Sequence, residues 1–318
     1  MIATVDGRGT CARSVSRWEI SRGATGYPAA FECLDKPPET LYIAGDADAV
    51  REGIAIVGAR KATPYGLRVA KLLASCAARR GIPVISGGAR GCDAAAHEAA
   101  LDAGGVTVAF LGGGCDRPYP ACNKGLFERI AVSGGAVVSE HPWNFPPKPY
   151  TFRARNRLIA GLARATLVVE AGVPSGTFST ADEALAANRE VLAVPGSIFS
   201  PASSGSNALI AQGAMPVTSE EAFSDMLERL FPDASKAAFP FCAQDRVQAR
   251  LPFSGEQESA LVAALAADPL RLEEMAEAFV GEGAHAFPTM SELMASVGRL
   301  EALGAIERFP DGRFGPVR

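Results

Sequence analysis

The stretch GIAIVGAR, residues 53–60, indicates the fold most directly: an apolar run ends in a glycine and an arginine. An alanine-rich segment of helical character, residues 66–81, follows it, and the same alternation recurs to about residue 214. Continuous apolar strands that alternate with helices are typical of a parallel sheet covered on both faces. We therefore predict a doubly wound, mostly parallel α/β domain. Its other strands are predicted in IPVISGG (82–88), VTVAFLGGG (106–114), AVVSE (136–140), ATLVVEA (165–171) and EVLAVPG (190–196).

Composition limits the possible classes of protein. The chain has 318 residues, 48% of them hydrophobic, and a formal net charge of -4, which argues against a polybasic binder of nucleic acid or membranes on bulk charge alone. The sequence contains neither an apolar leader nor a stretch of about 18 uncharged apolar residues. The seven cysteines form no CxxC pair. We expect a cytoplasmic protein with reduced thiols and no membrane contact.

The pattern predicts four parts of the chain. Residues 1–50 look like a short, irregular N-terminal segment with one edge strand at Thr40–Ile43, and residues 51–233 carry the α/β domain. A Pro-interrupted linker is predicted at 234–252. Residues 253–318 read as three helices and a hairpin that turns at Asp311-Gly312, which predicts a small winged-helix-like domain.

The charge of that C-terminal part bears on its role. From Phe253 to Arg318 there are 11 acidic and 5 basic residues, a charge of -6. A helix-turn-helix reader of duplex DNA needs positive charge against the phosphates. We therefore favour a protein-interaction or stability module over a duplex reader.

Ligands of open α/β sheets bind outside the carboxyl ends of the strands. Glycine-rich turns follow several predicted strands there; one carries Arg60, another Arg90, and a third ends in Ser175-Gly176-Thr177 where a helix begins. Ser and Thr at that position are helix caps by default. The same hydroxyl and N–H groups would also hold a phosphate, and the residues alone do not decide between these roles.

Known catalytic patterns do not occur in the sequence. It has no GxxxxGK[ST], no GxGxxG after the first strand, no GxSxG and no HExxH. The three histidines are scattered, and we expect His97 to orient the turn before it rather than to act as a base. We predict no catalytic residue, no metal site and no cofactor.

One segment departs from the acidic character of the chain. Between His141 and Val169 there is no Asp or Glu, and the basic residues are Lys148, Arg153, Arg155, Arg157 and Arg164. Four aromatic residues are interleaved with them: Trp143, Phe145, Tyr150 and Phe152. Cations and rings together suit single-stranded nucleic acid, because bases stack on the rings while phosphates follow the charge. The alternative is that Arg155 and Arg157 brace the sheet and the rings belong to the core.

The ordered set of motifs resembles the DNA-processing protein A family, DprA, also called Smf. The resemblance runs from about Tyr27 to about Phe223, and its most specific blocks are RNRLIAGL (155–162) and VPGSI with GSNALIAQGA (194–198 and 205–214). It implies an extended Rossmann-like domain that binds single-stranded DNA without catalysis. It also implies a homodimer formed through that domain, and loading of the RecA recombinase during natural transformation.

Carried over residue by residue, the resemblance and the loop positions give one set of candidate DNA-binding residues. We take Lys148 for backbone contact and Phe152 for base stacking. The full set is Arg60, Ser86, Gly87, Arg90, Lys124, Lys148, Phe152, Arg153, Arg155, Asn156, Arg157, Ser175, Gly176 and Thr177.

The sequence departs from the family pattern in two places. Residues 1–50 are too short and irregular for the helical, sterile-alpha-motif-like domain that many members carry. Ala121 stands where many members have a basic residue, and Lys124 follows three positions later. We therefore expect DNA affinity to be lower or differently distributed than in those members.

Two alternatives use the same fold. LOG-type phosphoribohydrolases cleave nucleoside monophosphates with a PGGxGTxxE loop; here Thr180 stands where their catalytic Glu should be, and Glu183 follows one turn later. A small nucleotide-sensing module would have a similar sequence. The length of the ligand distinguishes both from a DNA binder.

Overall fold

The computed structural model describes residues 15–173, 176–234, 256–281, 286–303, 305–309 and 312–316. The chain divides into two units, Met1–Phe239 and Pro240–Arg318. Except for Ala234, the predicted linker at 234–252 lies outside the described residues.

The first unit is built on a nine-stranded sheet. Its strands are β1 (Arg17–Ser21), β2 (Thr40–Gly45), β3 (Gly53–Val57), β4 (Val84–Ser86), β5 (Thr107–Phe110), β6 (Ala136–Ser139), β7 (Ala163–Val168), β8 (Glu190–Ala193) and β9 (Met215–Pro216). Its helices are α1 (Pro64–Arg79), α2 (Cys92–Asp102), α3 (Lys124–Val132), α4 (Pro149–Leu162), α5 (Thr177–Ala186), α6 (Ser204–Ala211) and α7 (Glu220–Leu230).

The strand order is β1-β2-β6-β5-β4-β3-β7-β8-β9. All pairs from β6 to β9 are parallel, and only β1 and β2 run antiparallel to their neighbours. On one side of β3 the order continues through β4 and β5 to β6. On the other side it continues from β7 through β8 to β9. The doubly wound, mostly parallel sheet predicted from the sequence is confirmed, and its switch point lies between β3 and β7.

Each strand divides its apolar side chains between two cores. In β3, Ala55 and Val57 pack with the buried faces of α4, α5 and α6, for example Leu158, Ala181 and Leu209. Ile54 and Ile56 point the other way and pack with α1, α2 and α7. This alternation is the period of two of a β-strand, and it explains why strands covered on both faces read as unbroken apolar runs.

The N-terminal segment differs from its predicted irregular form. Thr40–Ile43 is part of β2, but β2 is not an edge strand, because β1 covers it by antiparallel pairing from Arg17↔Ala44 to Ser21↔Thr40. Only Ile20 of β1 is partly shielded, so the apolar signal of this strand is weak. The sheet therefore extends into the segment that we separated as residues 1–50.

The second unit contains α8 (Glu256–Ala267), α9 (Leu272–Phe279), α10 (Met290–Ala302) and the antiparallel strands β10 (Ile306–Arg308) and β11 (Phe314–Pro316). Leu261, Met275, Leu293, Leu300 and Phe314 belong to its core. Three helices and a hairpin are present as the sequence indicated, and the winged-helix-like assignment stays a prediction. Among the helices of the described ranges, none has both the length and the apolar character that crossing a bilayer requires.

A pair of leucines tests how α4 is held on the sheet. Leu158 of α4 is fully buried, whereas Leu185 of α5 is 63% exposed. We expect Leu158→Ala to lower the free energy of unfolding by about 2–5 kcal/mol, because it removes buried methyl groups and leaves a cavity. Leu185→Ala should stay within about 0.5 kcal/mol of wild type. Chemical denaturation measures both, and equal effects would contradict this packing of α4.

Candidate nucleic-acid interface

The switch point holds an open cavity of about 840 Å³. It is surrounded by the loops that follow β3 and β7, by the first turns of α4 and α5, and by part of the loop after β8. Four basic side chains and one acidic side chain line it: Arg60, Lys61, Arg153, Arg155 and Asp93. This placement is the one expected for a ligand site of an open α/β sheet.

Helix α4 supplies one wall of the cavity. Pro149, Phe152, Arg153 and Asn156 all line it, and their spacing of three or four residues places them on one face of a helix. Phe152 packs over Gly112, where an added Cβ would lie 2.8 Å from its ring. The ring centroids of Phe152 and Tyr119 are 5.2 Å apart, and the Tyr119 side chain is half exposed. Two aromatic rings therefore stand together beside the cationic residues.

Arg155 lies deeper than the other cations and is 6% exposed. Its guanidinium occupies the space over Gly87, where an added Cβ would lie 1.7 Å from Nη1. Its Nε has no hydrogen-bond partner among the described residues. Burial lowers the pKa of Arg155 to about 10, the charge of Asp93 opposes that shift, and the charge of Arg60 adds to it. The side chain thus remains a cation at neutral pH.

Asp93, in the first turn of α2, organises the turn under Arg155. Its Oδ2 accepts the N–H groups of Gly87 at 3.2 Å and Ala89 at 3.3 Å. Burial raises the pKa of this carboxyl, while Arg155 and the N–H groups act against the rise. Asp93 therefore holds the turn after β4 through hydrogen bonds and also interacts electrostatically with Arg155.

His97, one turn further along α2, is structural in this arrangement. Its Nδ1 lies 2.6 Å from Thr107 Oγ1, and that hydroxyl donates to the Val84 carbonyl. The ring must then donate from Nδ1, so the hydrogen sits on that nitrogen. Complete burial, with a smaller effect of Arg155, lowers the pKa of His97 to about 3, so the ring is neutral.

Helix α5 faces the cavity with its N-terminal end. Gly176, Thr177, Ser179 and Thr180 line it, and the first N–H groups of a helix favour a negative ligand. Asn156 Nδ2 donates to Ser179 Oγ at 2.7 Å, and Ser179 Oγ donates to the Gly176 carbonyl at 2.8 Å. These bonds join the start of α5 to α4.

The structure brings half of the sequence-predicted set to the cavity lining: Arg60, Phe152, Arg153, Arg155, Asn156, Gly176 and Thr177. Gly87 lies directly beneath, against Arg155. Ser175 lies outside the described residues. The lining does not include Ser86, Arg90, Lys124, Lys148 or Arg157.

Two of those residues have internal partners. Ser86 is buried, and its Oγ donates to the Ile56 carbonyl at 2.6 Å, which ties β4 to β3. Arg157 forms a largely buried ion pair with Glu140, just after β6. The sheet-bracing alternative therefore describes the contacts of Arg157, whereas Arg155 belongs to the cavity.

The remaining three are exposed. Arg90 is on the turn after β4. Lys124 lies 3.9 Å from Glu128 and lines a separate cleft with Arg17 and Trp143. Lys148 Nζ lies 5.5 Å from the Phe145 ring centroid, where its charge interacts with the π face.

The sequence analysis missed several residues at this site. Lys61 directly follows Arg60, and the doublet in GARK (58–61) was a usable signal. Asp93 in GCD (91–93) and Tyr119 in the turn after β5 carried no comparable signal, because only the fold brings them to Arg155 and Phe152. For the phosphoribohydrolase alternative, Thr180 lines the cavity and Glu183 is not among the lining residues.

A doubly wound sheet with a cationic cavity at its switch point defines a Rossmann-like protein whose site suits phosphate-bearing ligands. The sequence profile described as DNA recombination-mediator protein A matches residues 19–229, more than half of the chain. The chain belongs to that family, and the resemblance seen in its motifs is confirmed.

Similar proteins and structures agree with the family. Protein Smf of Escherichia coli is 39% identical over 231 residues, 71% of this chain, and a putative DNA processing protein DprA of Mycobacterium tuberculosis is 47% identical over 184 residues, 57% of this chain. The matches cover 61% and 47% of those two proteins, so the chain spans about half to three fifths of their lengths.

Two solved structures share the fold. DNA processing protein A from Streptococcus pneumoniae superimposes with a TM-score of 0.62 at 35% identity, over 65% of this chain and 72% of that one. DNA processing protein A from Helicobacter pylori, whose structure is described for its single-stranded DNA binding mode, gives a TM-score of 0.61 at 30% identity, over 68% of this chain and 96% of that one.

The electrostatic interaction between Asp93 and Arg155 can be tested by comparing the free energies of unfolding of variants. We expect Asp93→Ala to lower the free energy of unfolding by about 3–5 kcal/mol, because it leaves a buried cation uncompensated and two N–H groups without their acceptor. Asp93→Asn keeps an acceptor oxygen and should cost less. Replacing Arg155 by Met in the Asp93→Ala background should recover part of the loss. Chemical denaturation reports all three, and no recovery in the double variant would contradict the coupling.

Proposed function

We propose that this protein binds single-stranded DNA in the cavity at the switch point and loads the RecA recombinase onto that strand, without catalysing a reaction itself. One observation carries the proposal most: the buried cation Arg155, with an unpartnered Nε, lines an open cavity next to three more basic side chains. Asp93 interacts with this charge, but the buried Nε donor still has no acceptor, and a phosphate oxygen is an acceptor of the required charge.

The charge of the cavity matches a sugar-phosphate backbone. Arg60, Lys61 and Arg153 are exposed around the buried Arg155, and Asp93 is the one acid of the lining. Guanidinium groups bind phosphate oxygens through paired N–H donors. A row of such groups holds several successive phosphates, which favours a polymer over a mononucleotide.

The aromatic pair supplies a place for bases. Phe152 lines the cavity and Tyr119 packs against it with half of its own surface exposed. Stacking of a base on such a ring contributes about 1–3 kcal/mol and tolerates any sequence. Bases can stack only when they are unpaired, which favours a single strand over a duplex.

The relatives support the same proposal. The similar structure from Helicobacter pylori is that of a protein with a single-stranded DNA binding mode. We extend this to the present chain, and further propose a homodimer formed through the Rossmann-like unit, action in the cytoplasm, and a role in natural transformation or general recombination. RecA is the proposed protein partner because the resemblance to the DprA family implies it.

Strand capture is tested with two arginines at opposite ends of α1. Arg60 precedes the helix at the cavity. The exposed Arg79 is the last residue of the helix, at the end away from the cavity. We expect Arg60→Ala to weaken binding of a fluorescent single strand about tenfold and to reduce the salt dependence by about one phosphate contact. Arg79→Ala should bind like wild type, since it removes the same charge elsewhere. Fluorescence anisotropy over a salt series measures both.

The same assay distinguishes the alternatives. Affinity that rises with strand length and exceeds affinity for duplex supports strand capture. Tight binding of a mononucleotide with no dependence on length would favour a nucleotide sensor, and release of a free base would favour a phosphoribohydrolase.

RecA loading has its own test. On single-stranded DNA already coated with single-strand-binding protein, we expect the wild-type protein to shorten the lag before RecA begins to hydrolyse ATP. At a protein concentration near the wild-type Kd, Arg60→Ala should shorten the lag much less than wild type because it captures less of the strand, and Arg79→Ala should act as wild type. An equal effect of wild type and Arg60→Ala would contradict loading through the cavity.

A further inference from the structure

An internal carboxylate occupies the N-terminal end of α1. In Rossmann-like folds the N-terminus of the first helix is a natural site for a phosphate, because its free N–H groups and the helix dipole favour negative charge. Here the carboxylate of Glu170, which follows β7, takes that position. Glu170 is 2% exposed, so its carboxylate oxygens need hydrogen-bond donors from within the protein.

The contacts of Glu170 converge on one residue. Its Oε2 accepts the backbone N–H of Thr63 at 2.8 Å, and its Oε1 accepts the Thr63 hydroxyl at 2.7 Å. Thr63 is the N-cap of α1, and its Oγ1 in turn accepts the N–H of Gly66 at 3.2 Å. The chain of bonds runs from the first turn of α1 through Thr63 to the end of β7.

The space around the carboxylate is closed. A Cβ at Gly66 would lie 2.5 Å from Glu170 Oε2, so the helix approaches the carboxylate as closely as a glycine permits. Tyr65 lies on the same side, where its hydroxyl donates to the Pro195 carbonyl at 2.9 Å. The negative charge of Glu170 adds to the effect of burial in raising the pKa of Tyr65.

These contacts fix the loop that carries two cations of the cavity. The loop after β3, residues 58–63, begins at the switch point, presents Arg60 and Lys61, and ends at Thr63. The Thr63–Glu170 bonds join the end of this loop to the residues that follow β7. The start of the loop is held separately, because the Cys92 N–H donates to the Ala59 carbonyl at 3.2 Å. Loss of the Glu170 bonds therefore loosens the end of the loop next to the helix.

We propose that Glu170 is a positioning residue that holds the β3–α1 loop, so that Arg60 and Lys61 face the cavity, and that it fills the helix N-terminus where a nucleotide phosphate would otherwise bind. This inference rests on the proposed single-strand binding, and it explains why the site would prefer a strand to a nucleotide. With the N-terminus of α1 occupied, phosphates are held by the side-chain cations around the cavity and by the N-terminal end of α5. That arrangement fits an extended backbone better than a compact nucleotide.

Four variants separate this role from simple charge or folding effects. Glu170→Gln keeps the volume but offers one acceptor for two donors, and Thr63→Val keeps the shape but removes the hydroxyl. Thr63→Ser retains both bonds and serves as the conservative control. Glu228→Gln removes the same charge from an exposed position on α7.

The sign of the effect is decisive. Removing a negative charge near DNA strengthens binding if charge alone matters. Positioning requires the opposite: Glu170→Gln and Thr63→Val should each weaken single-strand binding about tenfold, a change of the size of one charge-assisted hydrogen bond. Thr63→Ser and Glu228→Gln should bind like wild type. When Arg60 and Lys61 are both replaced by Ala, adding Glu170→Gln should cause no further loss.

Hydrogen exchange of the free protein tests the anchor without DNA. The amide of Thr63 should exchange faster in Glu170→Gln than in wild type and Thr63→Ser, measured by mass spectrometry on peptides covering residues 58–66. A single cooperative melting transition and wild-type exchange in peptides distant from this loop serve as the check on folding. Faster exchange supports the anchor even if wild type fails to bind DNA, a failure that would overturn the proposed function alone. Unchanged exchange, or tighter DNA binding by Glu170→Gln, would overturn the positioning role.

Discussion

The parallel pairing of β3 with β7 is the constraint on which the rest of the site depends. The two strands are neighbours, from Ile54↔Ala165 to Val57↔Val168, yet the chain leaves them in opposite directions across the sheet. The loops after them must therefore separate, and the crevice between them becomes the cavity. Helix α4, which links the distant β6 to β7, passes beneath this crevice and carries Phe152, Arg153 and Arg155 to it.

Local arrangement, rather than bulk charge, makes an acidic chain suitable for DNA. The whole chain has a net charge of -4, and residues 253–318 alone account for -6. Around the cavity the balance is reversed, and its deepest cation, Arg155, keeps its charge although burial lowers its pKa to about 10. The one acid of the lining, Asp93, is buried, accepts N–H groups of the turn below Arg155 and interacts with Arg155, so the lining keeps an excess of positive charge.

The sequence predicted the strands from β2 to β8, their order of appearance and the loops that form the site, because apolar runs and glycine turns are local signals, but it missed the exposed β1 and the two-residue β9. It did not show that most of the basic segment forms helix α4, or that the arginines of this helix have different neighbours. Arg155 and Arg157 are two positions apart, so a helical period turns them to different sides. One reaches the cavity and the other pairs with Glu140. The partner of each arginine depends on tertiary packing, as does the anchoring of Thr63 by Glu170 across 107 positions.

Crosslinking shows where on the protein a single strand lies. Single-stranded DNA carrying 5-iodouracil crosslinks under ultraviolet light to the side chains that its bases contact, and mass spectrometry identifies those residues. We expect adducts at Tyr119 or Phe152, which are lost when Arg60 is replaced by Ala. Adducts confined to residues 256–316, or insensitive to Arg60, would show that the strand binds elsewhere and would contradict the role assigned to the cavity.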